Sequence, residues 1–208
     1  MVSPMPHSQD ILKGGFPAFQ TPHPEDKAQW NARRRKLRRT LWRLLGDLPT
    51  LFTPTATLLS TEKHAGFLVE RFAFDNGVGD PVHGCTLLPT ARTEPGPAIL
   101  YHHWHAEQYD LGTRELLECV HPELGFATGE ELVRRGYVVQ AIDAYGFGQR
   151  RFQGPAGERE VGASVEAALF KTFLWEGRTL WGMMVRDDVL SLNLLASRPQ
   201  VDPARIAA

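Results

Sequence analysis

The pattern that most constrains this chain lies between Pro97 and Gly148. Residues 98–101 are a short apolar run directly after the turn signal Pro95-Gly96-Pro97. The run is too short for a helix and is bounded as a strand buried on both faces should be. It opens into a polar, ring-bearing loop that begins His102-His103-Trp104-His105. Residues 128–136 read as a helix, and residues 137–143 as a second buried strand ending in Ala144-Tyr145-Gly146-Phe147-Gly148. Strand, helix and strand in that order make a right-handed crossover between parallel strands. The expectation is an α/β fold whose parallel core spans residues 97–148, with its chemistry outside the carboxyl ends of the strands.

The rest of the chain is arranged around that unit. Residues 1–23 are expected to be irregular and partly wrapped over the surface, with Phe16 and Phe19 pinning them, and residues 24–49 to form an amphipathic helical extension. Pro24 suits a first helical turn and Gly46 a carboxyl cap. Trp30, Leu37, Leu41, Leu44, Leu45 and Leu48 share one face, and seven basic residues from Arg33 to Arg43 share the other. Such a face could attract nucleic acid or anionic lipid, but no aromatic platform interleaves the arginines. It reads instead as the solvated side of a helix docked by its leucines. Residues 50–208 form the α/β domain. Residues 67–74 and 82–88 are expected to pair as an antiparallel hairpin across a turn cued by Asn76-Gly77, with residues 55–60 adding an edge strand. After a long glycine-bearing loop over residues 144–164, helices are expected near 165–175 and 179–197. Asp202-Pro203 then marks a turn, and residues 206–208 begin another strand.

Composition excludes several classes. A formal net charge of −1 supplies no global field for nucleic acid or a membrane. Cys85 and Cys119 lack the number and spacing of a disulfide framework or a metal set, so both are expected as reduced thiols. No secretory leader and no bilayer-length apolar stretch is visible, which makes the cytoplasm the expected location.

Several stretches, taken in order, resemble the α/β-hydrolase family, in particular its dienelactone hydrolase, acetyl xylan esterase and cephalosporin C deacetylase group. The helix and hairpin resemble that group's opening elements. Residues 101–106 fall where its oxyanion loop follows the third strand. Arg135-Gly136-Tyr137-Val138-Val139, with residues 143–150, resembles its fourth strand and loop, and residues 186–188 and 198–206 resemble the approach to its fifth strand. The resemblance implies the N-terminal part of an α/β-hydrolase sheet, incomplete at its carboxyl end. It also implies a serine-type carboxylic-ester hydrolase working through a Ser-His-Asp/Glu triad on a small-molecule ester, without cofactor, metal, nucleic acid or membrane. The nucleophile elbow would then lie about four residues past Ala208, with the acid and histidine later still. None of the three triad residues is expected in this chain, and Ser164 and Ser191 stand in no Gly-x-Ser-x-Gly frame.

The resemblance leaves His103, Trp104 and His105 as oxyanion-loop candidates, with Trp104 or His105 offering the backbone N–H. The glycines of the family's His-Gly-Gly type of motif are missing. Trp104 would narrow the acyl pocket in favour of acetyl. Tyr145, Phe147 and Arg150 are candidates for the same cleft, Arg150 for a substrate carboxylate or for an ion pair with Glu158, Glu160 or another acid. Asp143 is expected to order the loop that follows it. Two other readings stay open: a non-catalytic α/β binding module, and a metal site at His103 and His105 with His102 and Glu107 nearby. If the fifth strand is only begun, one edge of the third is nearly bare, and the chain should self-associate through it.

Overall fold

The computed structural model describes residues 26–79, 81–120 and 122–208. The described residues fall into two units, residues 26–44 and residues 45–208. The expected irregular segment over residues 1–23 and the proline start of the first helix lie outside the described residues.

In the first unit α1 runs Lys27–Leu44. Its amino end is held by Asp26, whose Oδ1 accepts a hydrogen bond of 2.8 Å from the Gln29 N–H. No residue of α1 is buried, and Trp30, Leu37, Leu41 and Leu44 are all exposed. Leu45, one residue further on, is buried and belongs to the second unit.

The second unit is built on a six-stranded sheet with the order β1-β2-β3-β5-β4-β6. β1 is Ala56–His64, β2 Phe67–Asp75, β3 Pro81–Pro89, β4 Gly96–Leu100, β5 Val138–Ile142 and β6 Val201–Ala207. β1, β2, β3 and β5 pair antiparallel in sequence, while β4 pairs parallel with β5 on one side and β6 on the other. The predicted hairpin and edge strand are both present. The crossovers are α2 (Thr128–Arg134), then α3 (Ala163–Trp175) and α4 (Leu180–Ala196). Every residue of β5 is buried, its one polar member Gln140 included.

Side-chain alternation makes two layers. Phe67, Val69, Cys85, Leu87, Val139 and Ala141 pack with Leu116 and Val133 of the α2 side. Phe72, Phe74, Val82 and Ile142 pack on Leu190 and Leu194 of α4. A polar rung crosses β2, β3 and β5, where Glu70, Thr86 and Gln140 are in register. Arg198 closes it, donating to Glu70 Oε2 at 2.8 Å and to Thr86 Oγ1 at 3.0 Å. Gln140 Nε2 reaches the Ser191 hydroxyl at 3.0 Å. The arginine that stops α4 in sequence thus also satisfies this polar line through the sheet.

β6 corrects two expectations. It begins at Val201, and the Asp202-Pro203 turn sits inside it as an irregularity: Gly96 pairs with Val201, and Ala98 with Ile206. The Ala204 N–H bonds Asp202 Oδ1 at 3.0 Å, so the turn chemistry is real but bulges within the strand. β4 is consequently paired on both sides, and the bare β4 edge on which self-association was expected does not exist. β6 is the last strand in the sheet order instead.

Close packing leaves one glycine on β3 no room for a side chain. A Cβ on Gly84 would lie 2.2 Å from Phe72 Cζ. Gly84→Ala should destabilise the domain by about 1–3 kcal/mol through overpacking, seen as a lower denaturation midpoint in urea with an unchanged slope.

Candidate active site

The order of the strands reverses at β4, since β5 lies on one side and β6 on the other. The crevice outside the carboxyl ends of β4 and β5 is therefore the place for a site. Two loops meet there, and Asp143, at the end of β5, fastens them together. Its Oδ1 accepts the Thr113 N–H at 2.7 Å, and its Oδ2 accepts the Gln149 N–H at 2.9 Å. Gly112 and Gly148 make the approach possible: a Cβ on either would lie 2.2 or 2.4 Å from that carboxylate. The expected ordering role of Asp143 extends to both loops, not only its own.

Over this support the loop after β4 folds as a ring cluster. Phe147 is buried, with its ring centroid 5.0 Å from His103, 5.1 Å from His105 and 4.8 Å from Tyr109. His103 Nε2 accepts the Ala144 N–H at 3.1 Å, so its other nitrogen carries the proton, 3.2 Å from the Trp104 carbonyl oxygen. His105 Nδ1 accepts the Glu107 N–H at 3.2 Å, and its Nε2 faces the Glu166 carboxylate at 3.1 Å. Tyr109 donates to the same carboxylate at 2.7 Å. Burial, then that hydrogen bond, pushes the Tyr109 hydroxyl up to about 12. His103, His105 and Phe147 are thus brought together in one cluster.

The two imidazoles are committed to different partners of the chain. Among the described residues no three histidine, cysteine, aspartate or glutamate side chains are grouped to hold a metal ion.

Tyr145 and Arg150 are not in the crevice. Tyr145 is buried against Phe173, with the Arg150 guanidinium 3.8 Å from its ring centroid. Arg150 is wholly buried, paired with Asp187 at 3.0 Å and donating to the Asp143 carbonyl oxygen at 3.0 Å. Asn76 Nδ2 joins this knot, 3.0 Å from Asp187 Oδ1 and 3.2 Å from Tyr145 Oη. Burial raises the Asp187 pKa, while Arg150 and Asn76 pull it back. The acid foreseen for Arg150 is therefore Asp187, and the guanidinium is spent on the core, out of reach of a substrate.

Glu115 is the group that sequence reasoning missed. It is 2% exposed, and its Oε2 accepts the Trp104 N–H at 2.6 Å while Oε1 accepts the Tyr101 hydroxyl at 2.5 Å. Burial and this carboxylate raise the Tyr101 pKa well above its ordinary value. Nothing local in Arg114-Glu115-Leu116 marks the glutamate as buried, since its partners lie on the neighbouring loop. Trp104 keeps its side chain half exposed at the mouth, but its N–H is occupied.

Beyond Trp104 the backbone takes an unusual path. Ala106 and Glu107 have φ of 34° and 58°, the only described non-glycine residues in the left-handed region. Both follow His105 directly in the loop after β4. Non-glycine side chains hold this left-handed shape at a cost of roughly 1–2 kcal/mol per residue.

No family model matches the chain. Over 173 residues it is 34% identical to "Putative hydrolase YtaP" of Bacillus subtilis (strain 168), covering 83% of this chain and 54% of that one. A "putative acetyl xylan esterase" from Bacteroides fragilis NCTC 9343 superposes with a TM-score of 0.67 at 15% identity, over 86% of this chain and 46% of that. Methylesterase BT1017 superposes with a TM-score of 0.57 at 21% identity, over 88% and 36%. The chain has the fold of the α/β-hydrolase family. It spans about half the length of the curated relative it matches, 54%.

Two expectations follow from the site. Relieving the strained turn by Ala106→Gly or Glu107→Gly should stabilise the domain by about 0.5–1 kcal/mol, measured as a higher thermal midpoint. His102 Nδ1 lies 3.5 Å from Asp188 Oδ2, and that hydrogen bond raises its pKa. The stability it adds is complete below the unfolded value of about 6.5 and disappears as pH rises through the folded one. An NMR titration should place His102 above a free histidine in the native chain, and Asp188→Asn should bring it down.

Proposed function

We propose that this chain carries the oxyanion-loop half of a carboxylic-ester hydrolase that acts by acyl transfer. The observation that carries the reading is the left-handed turn at Ala106 and Glu107, directly after β4 at the point where the strand order reverses. A backbone bent in this way can present N–H groups to a developing oxyanion, and such donors supply a large share of catalysis in acyl transfer. Glu115 and His105 Nδ1 occupy the N–H groups of Trp104 and Glu107. The N–H groups of His105 and Ala106 accept no such claim among the described residues, so the donor role falls to them.

The remaining chemistry follows the triad scheme: a serine attacks the ester carbonyl, a histidine takes its proton and returns it to the leaving alcohol, and an acid orients the histidine. Neither serine near the crevice helices suits the attack. Ser164 donates to the Val161 carbonyl oxygen at 2.7 Å, and Ser191 is buried against Gln140. We therefore assign the triad to sequence outside these 208 residues, in keeping with relatives of about twice the length, a share of 54%. Trp104, half exposed beside the crevice, favours a small acyl group such as acetyl. The substrate is a small-molecule ester. The location is the cytoplasm, where Cys85 and Cys119 would remain thiols.

The test compares two proteins with p-nitrophenyl acetate and a serine-directed phosphonate. The chain extended to the length of its relatives should hydrolyse the ester and be labelled at a serine beyond residue 208. The 208-residue chain alone should do no better than buffer. Turnover by the shorter chain, or labelling at Ser164 or Ser191, would overturn the assignment.

A further inference from the structure

A cleft of about 580 Å³ lies between strands β1–β3 and the turns that follow β4 and β5. Its walls carry Arg71 from β2, His83 from β3, Arg114 from the turn after β4 and Arg151 from the turn after β5, with Asp110 and Asp143 as its acids. The volume is that of a small-molecule site. Three guanidinium groups are an unusual lining for a cavity that packing alone would have filled with apolar side chains.

The charges are unevenly spent. Both oxygens of Asp143 are turned to backbone N–H groups, those of Thr113 and Gln149. Arg114 is paired with Glu118 at 2.7 Å, while Arg71 has only Glu62, half exposed, at 3.6 Å. Arg151 has no carboxylate within ion-pair reach among the described residues. Its Nη1 donates to the Gly148 carbonyl oxygen at 2.7 Å, and its guanidinium lies 4.5 Å from the Phe152 ring centroid. Those two contacts fix the plane of the fork and leave most of its donors uncommitted. A planar, preorganised fork of this kind matches an oxyanion with two parallel hydrogen bonds. The His83 ring has no hydrogen-bond partner among the described residues and adds a further group able to donate.

We infer that this cleft binds a small ligand by an oxyanion group, phosphoryl or carboxylate, held by Arg151 with Arg71. It stands apart from the ester site. Asp143 faces the cleft with its carboxylate, while the next residue, Ala144, gives its N–H to His103 on the other loop. The inference does not rest on the ester reading, and either can fail alone.

Isothermal titration of the 208-residue chain with inorganic phosphate and, separately, citrate tests it, at an ionic strength held by sodium chloride. A saturable, single-site heat is expected with at least one ion, weakening as the salt is raised. Binding of phosphate alone assigns a phosphoryl ligand, and binding of citrate alone assigns carboxylates. Arg151→Gln and Arg71→Gln should each weaken binding about tenfold, as loss of a charge-assisted hydrogen bond does. Arg151→Lys should lose less. Arg205→Gln, exposed on β6 outside the cleft, should leave binding unchanged. Should Arg151→Gln fail to fold, Arg71→Gln reads the same contact from the opposite wall. Absence of saturable heat with both ions, or binding indifferent to the cleft substitutions, overturns the inference.

Discussion

The carboxylate of Asp143 is the interaction on which the upper end of this domain depends. One oxygen holds the turn after β4 and the other holds the turn after β5. Gly112 and Gly148 come so close to it that no other residue fits either place. Each hydrogen bond to a charged acceptor contributes about 1.5–3 kcal/mol, and their larger effect is geometric. They bring the Gly112–Leu116 turn, and with it Glu115, against Tyr101 and Trp104. They also seat Phe147 beneath His103, His105 and Tyr109. The ring cluster and the strained turn at Ala106 therefore rest on one side chain that itself faces the other cleft.

Below Asp143 a second polar knot organises the interior. Asp187 of α4 receives Arg150 from the turn after β5 and Asn76 from the turn between β2 and β3. Arg186, the residue before it, lies 3.7 Å from the same carboxylate and also donates to the carbonyl oxygens of Pro49 and Thr50, and so ties α4 to the segment before β1. Buried ion pairs contribute little net stability once desolvation is counted, but removing one partner is strongly destabilising. Here they fix which loops meet which helix, a matter that apolar packing alone leaves loose.

The parts of this fold that could be read in advance are those whose cause is local. The apolar runs of β4 and β5, the Asn76-Gly77 turn and the stop at Arg198-Pro199 each carry their own signal. The crevice at the ends of β4 and β5 followed from that pattern. What could not be read depends on distant partners. Arg150 looked like a loop residue beside a cleft, yet the loop folds inward and Asp187 takes the charge. Glu115 gave no sign of burial, because the groups that compensate it belong to residues 101 and 104. Asp202-Pro203 is a turn signal that predicts a later start for β6, and the turn is accommodated within the strand as a bulge.

The Asn76–Asp187 contact also bears on how the chain reaches this state. It joins residues 111 apart in sequence. By contrast β1, β2 and β3 follow one another along the chain and pair through short turns. Closing a long loop loses more entropy than closing a short one, and topologies rich in distant contacts fold slowly. The three-stranded meander can therefore assemble early, as a platform with Asn76 already turned in by its own Asx contact to Val78. α4 arrives later, and the step that completes the domain is the burial of Asp187 between Asn76 and Arg150. Until then a carboxylate, an amide and a guanidinium remain hydrated on separate parts of the chain. The slowest barrier is thus expected to be one of desolvating charge rather than of forming secondary structure.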